Sequence, residues 1–162
     1  EEAINELCDK ARENGVLVPA NFNSPMQVVV SGSLDACERA VKVASDMGFK
    51  PTPLTVSGAF HSPLMKPAAD RLGDALEQTQ WQLPTIPVLS NVTGVAHEAD
   101  IASIKLRLVQ QLTSPVRWSQ SMAWAVANLS GEYMEMAPGK VLSGLMRRIN
   151  RGTRVANFAQ PQ

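Results

Sequence analysis

Aromatic residues make up only 5% of this 162-residue chain, and there are just two cysteines. Cys8 and Cys37 fall on helix-like segments, at a spacing that matches neither a metal site nor a disulfide framework. A reducing, cytoplasmic setting is therefore expected. Charge imbalance is also missing, with 15 Lys+Arg against 15 Asp+Glu. That removes the electrostatic basis for general nucleic-acid binding, which needs many uncompensated cations. No apolar run approaches the roughly 18 residues that cross a bilayer, and no charged-then-apolar leader opens the chain. No membrane association is expected. Internal repeats and low-complexity tracts are absent as well. What remains is 44% hydrophobic residues at zero net charge, enough for one ordinary core and too many for a disordered segment.

The first third alternates helix and strand signals. Ile4, Leu7, Cys8 and Ala11 recur at helical spacing and are closed by Asn14-Gly15. Val16 to Phe22 and Gln27 to Ser31 are two β-rich runs separated by the turn-forming Asn23-Ser24-Pro25. Ser33 caps a helix with Ala36, Cys37, Ala40, Val41 and Ala44 on one face, ending at Gly48, and a strand is expected from about Lys50 to Ser57. Helix, strand, strand, helix, strand is a ferredoxin-like unit with its first strand missing. The chain also opens at Glu1-Glu2 already inside a helical pattern, so it reads as a piece of something longer.

The remainder is α/β with more helix. Leu72, Ala75, Leu76 and Thr79 mark a helix starting at Pro63 or Pro67, and Ile86 to Asn91 is a short strand. Helical stripes follow at Ile101 to Leu112 and Trp118 to Leu129, interrupted by Pro115. A strand from Glu132 to Met136 ends at Pro138-Gly139. After it come a helix through Val141, Leu142, Leu145 and Ile149 and a strand from Val155 to Phe158. From Ala137 onward the chain carries five basic residues, Lys140, Arg147, Arg148, Arg151 and Arg154, and no acidic one. Either a phosphate-bearing ligand or acidic partner docks there, or these are solvated cations suited to a helix C-terminus.

Of the two histidines, His97 reads as exposed loop, whereas His61 lies where a strand hands over to a helix, a corner that collects catalytic groups. A neighbouring helix N-terminus would keep the ring neutral and able to accept a proton. The alternative is a partly buried histidine bonded to backbone. A basic histidine needs a nucleophile, and none is present: no Gly-x-Ser-x-Gly occurs, and neither cysteine has the context of an activated thiol.

The run Val56-Ser57-Gly58-Ala59-Phe60-His61-Ser62-Pro63-Leu64-Met65 resembles the signature of malonyl-CoA:acyl carrier protein transacylases and of the acyltransferase domains of polyketide and fatty-acid synthases. Three further segments fit the same family in the same order: Asn21 to Pro25, Gln111 to Trp118 and Glu135 to Leu142. The resemblance implies the C-terminal half of an enzyme about twice as long. Residues 1–57 would be an incomplete ferredoxin-like subdomain, and residues 58–162 the C-terminal part of an α/β-hydrolase-like acyltransferase subdomain. It also implies that His61 activates a serine supplied ahead of Glu1 and then the carrier thiol, with the main-chain carbonyl of Gln111 orienting the ring. Phe60 would exclude an α-methyl branch from the acyl pocket, a discrimination of about 1 to 3 kcal/mol.

Asn23 either lines the cleft between subdomains or is a hairpin-turn asparagine. Pro138-Gly139 either brings helix N–H groups to the site or only ends a strand and starts a helix. The implied partners are malonyl-CoA, as substrate rather than cofactor, acyl carrier protein and the missing N-terminal half. No cofactor or metal is implied, and the chain alone is expected to be inactive. A polyketide-synthase acyltransferase fragment and a non-catalytic ferredoxin-like binding module remain alternative readings.

Overall fold

In the computed structural model, which describes residues 1–136 and 138–158, Leu7, Cys8 and Ala11 form the buried stripe of helix α1 (Glu2–Arg12). They pack on helix α2 (Leu34–Asp46), whose buried positions Ala36, Ala40 and Ala44 recur every four residues. An all-alanine stripe lets the two helices approach closely, with Leu17 of the neighbouring strand completing the core. Helix α1 ends one residue earlier than Asn14-Gly15 suggests. Glu13 takes a left-handed φ of 46°, and the Arg39 guanidinium donates to the carbonyls of Ala11 (2.9 Å) and Arg12 (3.1 Å). A side chain from α2 thus does what a C-terminal glycine does elsewhere.

Strands β1 (Leu17–Ser24) and β2 (Gln27–Gly32) form the expected antiparallel hairpin, with register shifts between Pro19 and Asn21 and between Phe22 and Ser24. Gly32 is obligatory at its base, because a Cβ there would lie 1.9 Å from the Val16 carbonyl oxygen. The strand expected at 50–57 is not formed. Those residues have no ladder partner among the described residues, and the free edge of β1 is instead engaged by Val116. Phe22 N–H donates to the Val116 carbonyl and Val116 N–H to that of Ala20, both at 2.8 Å. Four elements of the ferredoxin-like order are therefore present and the fifth is not.

Both sequence-based starts for the next helix are used: Pro63–Met65 is a 3₁₀ turn, and α3 (Lys66–Glu77) follows it with Pro67 in its first turn. Helix α4 (Ile101–Gln110) packs beside α3, its N-terminus capped by Asp100 accepting from Ser103 N–H at 2.8 Å. The strand expected at Ile86 to Asn91 reduces to one bridge, Leu89 with Ala96, inside a tight reversal. Ser90 N–H donates to the Val95 carbonyl and His97 N–H to that of Val88, so the segment folds back on itself rather than joining a sheet. Helix α5 (Trp118–Asn128) leads to β3 (Tyr133–Glu135), which pairs in parallel with β4 (Val155–Asn157) across helix α6 (Val141–Ile149). Ala137, inside the fourth family-like segment and at the start of the basic tail, lies outside the described residues, as do residues 159–162. Among the described residues no helix is long and apolar enough to cross a membrane.

Candidate functional site

His61 is half-buried and, among the described residues, one of two non-glycine residues with positive φ, at 60°. A side chain in the left-handed region is held there against a steric penalty, so neighbouring bonds must fix it. They come from Ser62, which is fully buried. Its hydroxyl donates to the Ala59 carbonyl at 2.6 Å and accepts from Leu64 N–H at 3.3 Å, closing a tight turn around the histidine.

The ring then meets the end of α4. His61 Nδ1 lies 2.8 Å from the main-chain oxygen of Gln111. A carbonyl only accepts, so Nδ1 carries the proton and, in the neutral ring, Nε2 holds the free lone pair. The Gln111 carbonyl is available because of a proline. In a continuing helix that oxygen would bond the N–H four residues on, but position 115 is Pro115, which has none. The Gln111 side chain is engaged separately, its Oε1 accepting from Asn91 Nδ2 at 3.0 Å.

His61 lines a cleft of about 350 Å³ with Thr113, Pro115, Phe22, Glu1 and Arg117. The Arg117 guanidinium stacks 5.5 Å from the centroid of the Phe22 ring and lies 3.3 Å from the Glu1 carboxylate. The cleft thus joins a histidine with one basic nitrogen free to a partly neutralised cation over an apolar floor. That suits proton transfer on a bound ligand.

The other sequence-based candidates lie apart from these walls. Phe60 is 49% exposed, its ring over Gly58, and it is not among the lining residues. Asn23 sits half-buried at the irregular register near the hairpin tip, also away from the cleft. Three of the first N–H groups of the helix after Pro138-Gly139 are already engaged. The N–H groups of Leu142 and Ser143 are taken by the Glu135 carboxylate at 2.9 and 3.0 Å, and that of Gly144 by the Lys140 carbonyl.

His97 is half-buried rather than exposed, its pKa lowered by burial and then by the charge of Arg107. Cys8 lies in the α1–α2 core, where burial pushes its thiol up to about 11, the opposite of an activated nucleophile. Among the described residues no group of three or more His, Cys, Asp or Glu is placed to hold a metal. Sequence reasoning gave no part to Asn91 or Arg117. The signal for the second was its place two residues after the proline that frees Gln111.

Residues 2–158 match the family model described as acyl transferase domain. The chain belongs to the acyl transferase domain family. It is similar to the malonyl CoA-acyl carrier protein transacylase of Bacillus subtilis, 41% identical over 99% of this chain and 51% of the relative. The namesake from Salmonella typhimurium is 43% identical over 91% of this chain and 48% of its own. Among solved structures, the malonyl-CoA:acyl carrier protein transacylase of Xanthomonas oryzae superposes with a TM-score of 0.93 at 38% identity, covering 99% of this chain and 51% of the other. A malonyl-transacylase solved in complex with its type II PKS acyl-carrier protein gives 0.94 at 38% identity, over 99% and 52%. This acyl transferase chain therefore spans about half the length of the curated relatives it matches.

Proposed function

We propose that this chain supplies the general base and part of the substrate cleft of a malonyl-CoA:acyl carrier protein transacylase acting in fatty-acid synthesis. The observation that carries the reading is the 2.8 Å contact between His61 Nδ1 and the Gln111 carbonyl. With Nδ1–H held there, Nε2 takes the proton of a serine hydroxyl as its oxygen attacks the malonyl thioester. The imidazolium returns that proton to the departing CoA sulfur, leaving a malonyl-serine ester. The phosphopantetheine thiol of the carrier protein then gives its proton to Nε2 and attacks the ester. Collapse of the second tetrahedral adduct restores the serine, again with the proton from Nε2. A neutral carbonyl fixes the tautomer and favours the cation without adding a charge to the site.

The serine belongs to polypeptide preceding this chain in the whole enzyme. The exposed apolar residues Val56, Ile86, Met136 and Val141 support a covering segment of that kind. In the assembled cleft Phe60 faces the α-carbon of the acyl group and Asn23 lies on the opposing subdomain, with residues 1–57 and 58–162 as the two lobes. The exposed Arg147, Arg148, Arg151 and Arg154 at the end of α6 and beyond it suit an acidic carrier protein. The enzyme works in the cytoplasm.

The test joins this chain to its serine-bearing half and follows malonyl transfer to carrier protein, with intact mass reporting the acyl-serine. His61→Ala is expected to slow transfer by a factor of about 10² to 10⁴. Near-parent turnover in that variant would sink the reading.

A further inference from the structure

The carbonyl that meets His61 is part of the segment from Gln111 to Arg117, which joins α4 to α5, and one residue outside that segment grips both its ends. Asn91 Nδ2 donates to Gln111 Oε1 at 3.0 Å, while the Asn91 carbonyl accepts from Arg117 N–H at 2.9 Å. Asn91 is itself fixed on a stiff reversal. The neighbouring Ser90 is buried, its hydroxyl accepts from Val92 N–H (3.3 Å) and Thr93 N–H (3.4 Å), and its carbonyl accepts from Gly94 N–H (2.9 Å). Gly94, at φ 75°, lies so close to α5 that a Cβ there would sit 2.9 Å from that of Gln120. The reversal is therefore pressed against the helix that begins just after the gripped segment.

We propose that Asn91 is a positioning residue for His61, acting through Gln111; this rests on the reading of His61 as the base. Asn91 is not among the residues that line the cleft, and its contact with the site runs through Gln111. Its part is to fix the rotation of the Gln111 peptide, and with it the direction of the carbonyl that steadies the ring. Val116 is fixed on β1 near the far end of the same segment, whereas at the Gln111 end the bonds of Gln111 N–H to the Arg107 carbonyl (3.0 Å) and of Leu112 N–H to the Val109 carbonyl (3.2 Å) hold the chain to α4, and the Asn91 amide ties it to the reversal. Alanine has no donor, and aspartate, which only accepts, is met by Gln111 only after the glutamine amide turns over to offer Nε2.

The experiment uses the whole enzyme and compares the parent with Asn91→Ala, Asn91→Asp, Gln111→Met, the double variant Asn91→Ala/Gln111→Met, and His61→Asn. Gln111→Met keeps the main-chain carbonyl and deletes only the acceptor that Asn91 holds. We expect kcat to fall about 3- to 10-fold in Asn91→Ala and Gln111→Met and by less in Asn91→Asp, with KM for malonyl-CoA unchanged. Loosened carbonyl support disfavours the imidazolium, so the acid limb of the kcat profile should move to lower pH. The double variant should be no slower than either single one. A stationary acid limb, additive losses, or a lower melting temperature with unchanged kcat would overturn the assignment. Gln111→Met carries the test if the alanine variant folds poorly. Should His61→Asn retain turnover, the base reading falls and the positioning role falls with it. Should His61→Asn lose turnover while the Asn91 variants match the parent, only the positioning role fails.

Discussion

The Ser62 hydroxyl donates to the Ala59 carbonyl at 2.6 Å, and that bond closes the turn in which His61 sits at a φ of 60°. Ser62→Ala should therefore lose about 1–2 kcal/mol of stability, because a part-buried carbonyl is left unpaired and the turn loses its cap. Chemical denaturation of the whole enzyme measures it. Transfer activity should fall alongside, since the imidazole is no longer held in one direction.

A different substitution separates backbone from chemistry. Asparagine tolerates the left-handed region better than most side chains, so His61→Asn should keep the fold while removing the base. The expected outcome is a circular dichroism spectrum like the parent's, with transfer reduced by a factor of about 10² or more. Parent-like activity would contradict the assignment.

Pro115→Ala restores an N–H four residues after Gln111. That donor competes with His61 for the carbonyl and lets α4 run further. Turnover should fall by up to about tenfold, the worth of one hydrogen bond. Steady-state kinetics together with the imidazole ¹⁵N shifts report whether Nδ1 has lost its acceptor.

Gly32→Ala drives a Cβ to 1.9 Å from the Val16 carbonyl oxygen, a backbone atom that cannot step aside. The hairpin base must open, and the expected loss is at least about 2 kcal/mol. An unchanged denaturation midpoint would mean that the strands separate there without penalty.

Glu135 gives a pH-dependent prediction. Burial raises its carboxyl pKa, but the N–H groups of Leu142 and Ser143, the Ser143 hydroxyl and the Asn157 amide outweigh that and leave it below the ordinary glutamate value. A folded-state value below the unfolded one stabilises the fold above the ordinary value, and this contribution is lost as pH falls through the lowered one. Glu135→Gln should thus melt below the parent at neutral pH, with the gap narrowing in acid. A gap that stays constant from neutral to strongly acidic solution would rule out an ionised cap on α6.

Local signals carried far in the sequence. The stripe Leu7, Cys8, Ala11, the alanine ladder of α2 and the hairpin runs all appear where their periodicity puts them, because each buries one face against a near neighbour. Residues 50–57 look like a strand and are not one. Strand propensity describes a pleated, half-buried surface, and this stretch is largely exposed with no ladder beside it. The partner of His61 was legible only through family resemblance, since a contact across fifty residues leaves no periodic trace. Asn91 left none at all: an asparagine near a turn signal looks the same whether its amide meets water or the glutamine behind the base.

Two backbone hydrogen bonds tie Val116 to β1, five residues after Gln111 in the chain. The hairpin is therefore a strut under the imidazole's support. A tilt of strand 17–24 in response to whatever enters the cleft would be transmitted through peptide groups to the base, so grip on the ligand and readiness to take its proton are mechanically joined.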